Sequence, residues 1–166
     1  MQPVLENTLP QLEKTKEDAT CRVLFVCTGN TCRSPMAAAI ANAMAKEHPA
    51  FPLFASSAGL YANDGEPIAK NAVLALDAAG VEPRDYRTHL AHTLSHEEAA
   101  AFDLLVGVTR RHAAELLFRF PDLASKITCL PMDVADPYGG DLETYKSCLS
   151  ALRGAVGKLL FPEETP

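Results

Sequence analysis

The stretch from Arg22 to Lys46 limits the fold more than any other part of the chain. An apolar run, Arg22–Val26, passes without a linker into Cys27-Thr28-Gly29-Asn30-Thr31-Cys32-Arg33-Ser34-Pro35, and this passes directly into the alanine-rich run Met36–Lys46. The first run is strand-like and the second has strong helix propensity, so the intervening residues sit at a strand-to-helix junction. Further apolar runs at Leu53–Ser57, Asp103–Val108 and Lys126–Leu130 alternate with helical stretches at Pro67–Ala79, Arg110–Phe118 and Leu142–Leu160. A short helix is expected over Ser95–Ala101, opened by a capping box between Ser95 and Glu98. The alternation predicts an α/β fold, a four-stranded parallel sheet with helices on both faces. With 166 residues, of which 48% are apolar, the chain suits one domain around a single core. That domain is expected over 21–166. Residues 1–20 mix charges with two prolines, show no apolar stripe, and read as a mobile arm rather than a signal peptide or membrane anchor.

The junction also carries chemistry. Gly29 and Asn30 tolerate left-handed backbone angles, which lets a loop curl until its N–H groups converge on an anion. Ser34 reads as the N-cap and Pro35 as the first helical residue, so the positive end of a helix dipole faces the loop's centre. A thiol is a weak nucleophile near neutrality, and a helix N-terminus beside an arginine favours its thiolate. Cys27 is therefore the expected nucleophile. Arg33 keeps its charge, and its planar fork matches two oxygens of a transferring phosphoryl group. The set Thr28, Gly29, Asn30, Thr31, Cys32 and Ser34 forms the expected phosphate-binding loop after the first strand, with the Ser34 hydroxyl supporting the sulfur as it leaves. A bare Cys and Arg at this spacing would also suit a buried core cysteine; the flanking strand and helix favour the chemical reading.

A phosphorylated thiol needs a proton donor for the departing group and then a base for water. Asp136, in Asp136-Pro137-Tyr138-Gly139-Gly140, is the candidate, although an Asp-Pro turn is common and could be ordinary solvated charge. With this loop and that late Asp-Pro segment, the chain resembles the low-molecular-weight protein tyrosine phosphatase family from about Arg22 to the C-terminus. Ser57-Ala58-Gly59 and Phe102-Asp103-Leu104-Leu105-Val106 belong to the same resemblance. The resemblance implies that Asn30 adopts a left-handed conformation supported by Ser34, Ser57 and His89. It also implies a reversible Cys27–Cys32 disulfide that shields the nucleophile, Cys32 being otherwise a small packed residue. Thr31, with Ser57-Ala58-Gly59-Leu60-Tyr61-Ala62 and the Asp-Pro-aromatic-Gly-Gly loop, is similar to the bacterial protein arginine phosphatase branch. That likeness implies a phosphoarginine substrate, with phosphotyrosine as the alternative. Thr31, Tyr61 and Tyr138 are the expected pocket walls, the two tyrosines facing each other.

The remaining composition bounds the alternatives. Five cysteines without a secretion signal indicate a reducing compartment, so the cytoplasm is the expected location. No metal or other cofactor is expected: the histidines lack a familiar ligand pattern, although His92 and His96 have helix-like spacing. A net charge of −6 disfavours nonspecific nucleic-acid binding, and no stretch approaches membrane-spanning length. Expected partners are phosphorylated protein substrates, met by a monomer. An arsenate reductase would need two further cysteines on a mobile segment, and none lies between Cys32 and Cys129. A noncatalytic phosphate or redox sensor would not require the thiol, arginine and carboxylate together.

Overall fold

A computed structural model describes residues 19–162; the expected arm, apart from 19–20, lies outside them. The strands are β1 (Cys21–Cys27), β2 (Leu53–Gly59), β3 (Leu104–Gly107) and β4 (Ile127–Cys129). They form one parallel sheet in the order β2-β1-β3-β4. The helices are α1 (Arg33–Lys46), α2 (Lys70–Ala78), α3 (His96–Ala101), α4 (Arg110–Arg119) and α5 (Leu142–Leu160), with 3₁₀ turns at Pro83–Asp85 and Pro121–Lys126.

Alternation along β1 explains the two covered faces. Val23 and Phe25 enter a core shared with α1, α2 and α5. Leu24 and Val26 enter a second core with Ala99 of α3, Ala113 and Leu116 of α4, and Phe120. Every β1 residue except Arg22 is buried, as expected for a central parallel strand covered on both sides. Small side chains let α1 be buried over most of its length from Arg33 to Ala41. Where α5 crosses it, Gly157 leaves space that a Cβ would bring to 3.3 Å from the Met44 methyl. Among the described residues, no helix is long and apolar enough to cross a membrane.

Helix ends differ from the sequence reading for identifiable reasons. The first helix starts at Arg33, with Cys32 rather than Ser34 as its N-cap. Met36 N–H already donates to the Cys32 carbonyl (3.1 Å), while the Ser34 hydroxyl turns towards Cys27 instead of a backbone amide. Pro35 is thus the third helical residue, not the first. α2 begins at Lys70 rather than Pro67, because Pro67 pairs with Leu90 in an isolated antiparallel bridge. Ser95 caps α3 by accepting from Glu98 N–H (3.1 Å), but the reciprocal half of the box is replaced by a Glu98 carboxylate contact to His92.

Candidate active site

All four strands end at one edge of the sheet, where open parallel sheets place their ligands, and the loop 28–32 between β1 and α1 lies there. Two glycines make the close approach possible. A Cβ on Gly59, at the end of β2, would stand 2.7 Å from the Thr28 carbonyl oxygen; one on Gly107, at the end of β3, would stand 2.5 Å from the Ala113 nitrogen.

The loop's backbone is organised by what holds its carbonyls. Leu60 N–H donates to Cys27 O (2.9 Å), Tyr61 N–H to Thr28 O (3.0 Å) and Ala69 N–H to Thr31 O (2.9 Å). His89 Nε2 lies 2.8 Å from Asn30 O. With these carbonyls drawn outward, the N–H groups of Thr28 to Arg33 have no backbone acceptor among the described residues. Unpaired amides converging at a helix start make an anion site.

Asn30 alone among the described non-glycine residues has positive φ, at 61°. Its side-chain amide donates to Ser34 Oγ (2.8 Å) and Ser57 Oγ (3.0 Å), and its Oδ1 accepts from His92 N–H (3.1 Å). The supports expected of Ser34, Ser57 and His89 are therefore all in contact with Asn30, and the His92 amide joins them. Gly29, expected to share the left-handed turn, has no positive φ, because the single reversal at Asn30 suffices. Fully buried, Asn30 offsets the cost of an unusual backbone angle with these hydrogen bonds.

Cys27 Sγ lies 2.9 Å from Ser34 Oγ. The hydroxyl can donate to an ionised sulfur, or otherwise to the Ala58 carbonyl at 3.4 Å. Arg33 is 8% exposed; its Nη1 donates to Val134 O (3.1 Å), and its Nη2 stands 3.5 Å from Asp136 Oδ2. The other Asp136 oxygen accepts from Tyr138 N–H (3.1 Å), and Gly139 takes φ of 82° in the same turn. Chain positions 27, 33 and 136 thus meet around one cavity of about 250 Å³, also lined by Thr28 to Cys32, Asn63, Glu66 and Tyr138. Cys32 faces Tyr145 on α5, Sγ to hydroxyl 3.3 Å, and burial pushes its thiol up.

Tyr61 does not oppose Tyr138. Its hydroxyl donates to Glu115 (2.7 Å) and the Arg119 guanidinium lies 4.4 Å from its ring centroid. Both partners lie on α4, so the ring is drawn away from the cavity lining. Three contributors escaped the sequence reading: Asn63 and Glu66 in the cavity wall, and His112. The Thr109 amide donates to His112 Nδ1 (3.2 Å), which leaves Nε2–H to donate to Thr28 Oγ1 (3.0 Å). Burial first, and then the Arg33 charge, hold His112 down to about 4. The spacing Thr109-x-x-His112 signals a helix start but not its contact with the loop.

A thiol and a guanidinium around an amide-lined loop, with a carboxylate across the opening, define a cysteine-phosphatase type of site on an open parallel sheet. The model of the Low molecular weight phosphotyrosine protein phosphatase family matches residues 22–165, and the chain belongs to that family. It is 33% identical over 145 residues to a protein-arginine-phosphatase of Geobacillus stearothermophilus, covering 83% of this chain and 93% of the relative. It is also 30% identical over 143 residues to the low molecular weight protein-tyrosine-phosphatase PtpB of Staphylococcus haemolyticus, covering 83% and 96%. The crystal structure of a low molecular weight protein tyrosine phosphatase from T. tengcongensis superposes with a TM-score of 0.78 at 39% identity, covering 86% of this chain and 99% of that one.

Proposed function

We propose that this protein phosphatase is a cytoplasmic, monomeric protein arginine phosphatase that works through a phosphocysteine. Cys27 attacks phosphorus in line while the phosphoryl oxygens rest on the loop amides and the Arg33 fork. The N–P bond breaks as Asp136 hands its proton to the departing guanidinium nitrogen. Asp136, now a carboxylate, takes a proton from water as that water attacks the phosphocysteine. The S–P bond breaks, orthophosphate leaves, and Ser34 donates to the returning thiolate. No step calls for a metal or organic cofactor. Cys32, a free thiol in the same loop, is assigned to reversible protection: a peroxide takes two electrons from the pair, and Cys27 and Cys32 join as a disulfide.

The observation that carries the preference for arginine is Thr31 in the cavity wall. A threonine presents a hydroxyl to the slot where a branched aliphatic residue presents only carbon, which suits a hydrogen-bonding guanidinium better than a phenyl ring without donors. The similarity to a protein-arginine-phosphatase supports the same reading. Turnover of phosphoarginine and phosphotyrosine peptides of matched sequence tests it. The wild type is expected to favour phosphoarginine, and Thr31→Ile to move kcat/KM towards phosphotyrosine by about tenfold or more. A wild type that prefers phosphotyrosine, with a ratio unmoved by the substitution, refutes the assignment.

A further inference from the structure

The charges around the cavity are unevenly distributed. Arg33 is the only Lys or Arg among its lining residues, and it lies with Cys27 at the phosphoryl end; the carboxylates are Asp136 and Glu66. The sequence and the proposed mechanism leave Glu66 without a task. Glu66 is solvent-exposed along much of its side chain, yet its backbone is fixed. Its N–H donates to Asn63 O (3.1 Å), its carbonyl accepts from Ala91 N–H (2.8 Å), and Gly65 N–H donates to Ala91 O (2.8 Å). The next residue, Pro67, bridges to Leu90. His89, one residue before that bridge, contacts the Asn30 carbonyl, so the segment bearing Glu66 and the phosphate loop are tied to the same strip of chain. No lysine, arginine or histidine is paired with the Glu66 carboxylate among the described residues.

A phosphorylated tyrosine brings a dianion on a ring with no donors, so carboxylates in the cavity wall repel it. A phosphorylated arginine brings the same phosphoryl group attached to a cation that carries N–H donors. Its charges are separated in the same sense as those of the cavity: anion towards Arg33 and the helix start, cation towards the carboxylates. Asp136 must give up its proton in the reaction. Glu66 has no such duty, and its carboxylate remains available as an acceptor on a held stretch of backbone.

Resting on the proposed arginine reading, we infer that Glu66 is a specificity-determining residue, its carboxylate selecting a cationic, N–H-donating leaving group over a phenol. Discrimination here is a difference between two substrates, so a ratio is the proper measure and is insensitive to any general loss of activity. Phosphoarginine and phosphotyrosine peptides of one sequence would be used as competitive inhibitors of aryl phosphate turnover by the full chain, for the wild type, Glu66→Gln and Glu66→Lys. The expected result is that Glu66→Gln shifts the ratio of inhibition constants towards phosphotyrosine by about threefold to tenfold, the range for a partly solvated charge-assisted contact. Glu66→Lys should shift it further in the same direction, and the wild-type ratio should fall towards that of the glutamine variant as salt is added. A shift below about threefold in both variants overturns the inference, as does failure of the phosphoarginine peptide to inhibit the wild type. The broader reading fails separately: a wild type that turns over phosphotyrosine faster, while Glu66→Gln still moves the ratio, removes the arginine assignment and leaves the role of Glu66 standing.

Discussion

One hydroxyl, that of Ser34, connects the reactive sulfur to the strained turn. Its oxygen lies 2.9 Å from Cys27 Sγ and accepts from the Asn30 amide, which is simultaneously bonded to Ser57. Donation to the sulfur matters most when thiolate is the leaving group, in hydrolysis of the phosphocysteine. Ser34→Ala is therefore expected to slow that second step by about a hundredfold, the lower end of the range for loss of one donor to developing charge. Rapid-mixing kinetics on an aryl phosphate should show a burst of phenol followed by a slow steady state, whereas equal slowing of both phases would refute this role. The left-handed turn was legible because asparagine tolerates that angle and glycine supplied the only other candidate nearby. Ser34 was legible in part: its hydroxyl was expected beside the sulfur and lies there, but Ser-Pro before an alanine-rich run is also the ordinary signature of a capped helix, and in the fold the N-cap position falls to Cys32. Glu66 had no periodicity or spacing to set it apart, and the spacing from Thr109 to His112 marked only a helix start. Their relevance arises from chain segments that meet only after folding.

Elements place these groups by approaching one another more closely than most side chains allow. The end of β2 lies against the phosphate loop because Gly59 has no Cβ, and the same residue bonds His92 O through its N–H and Leu94 N–H through its carbonyl. Gly59→Ala puts a methyl group against the Thr28 carbonyl oxygen at 2.7 Å and the Asn30 and Ala62 Cβ atoms at 3.1 Å. Neither the strand nor the loop can yield without disturbing the Asn30 hydrogen bonds. The variant is expected to lose about 1–3 kcal/mol of stability, as overpacked sites do, and to lose more activity than the fraction unfolded accounts for. Denaturant titration beside kcat on the folded fraction separates the two effects; full activity per folded molecule refutes the argument. Strands and long helices were legible in the sequence because a parallel sheet covered on both faces leaves uninterrupted apolar runs. Helix starts were less legible, since Pro67 and Ser34 are diverted by tertiary partners, Leu90 in one case and Cys27 in the other. The direction of Tyr61 was equally hidden, depending on Glu115 and Arg119 one helix away.

Across the whole molecule, anion binding and stability are coupled through two histidines, His112 buried and His89 half-buried. Burial lowers His89, which holds the Asn30 carbonyl, and burial together with the Arg33 charge brings His112 to about 4. A histidine in the unfolded chain titrates near 6.5, so as pH falls below that value the unfolded state takes up protons that the folded state refuses. Stability is therefore complete above about pH 6.5 and is lost as the pH falls towards the folded value. For His112 alone the loss between about pH 7 and about pH 5 comes to about 2 kcal/mol, and His89 adds to it in the same direction. The carboxylates held low by their partners, Asp77, Glu115, Asp122 and Asp141, act in a lower window, below the ordinary carboxyl range near 4. His112→Gln removes the titration while keeping a residue type that can close the helix box with Thr109. Urea unfolding midpoints near pH 7 and near pH 5 should fall steeply in the wild type and less in the glutamine variant. Equal falls in both proteins would show that His112 takes its proton as readily in the fold as outside it, and that neither its burial nor the neighbouring guanidinium excludes the charge. A bound oxyanion at the loop is expected to oppose that exclusion, since it neutralises Arg33, and should therefore reduce the wild-type difference between the two pH values.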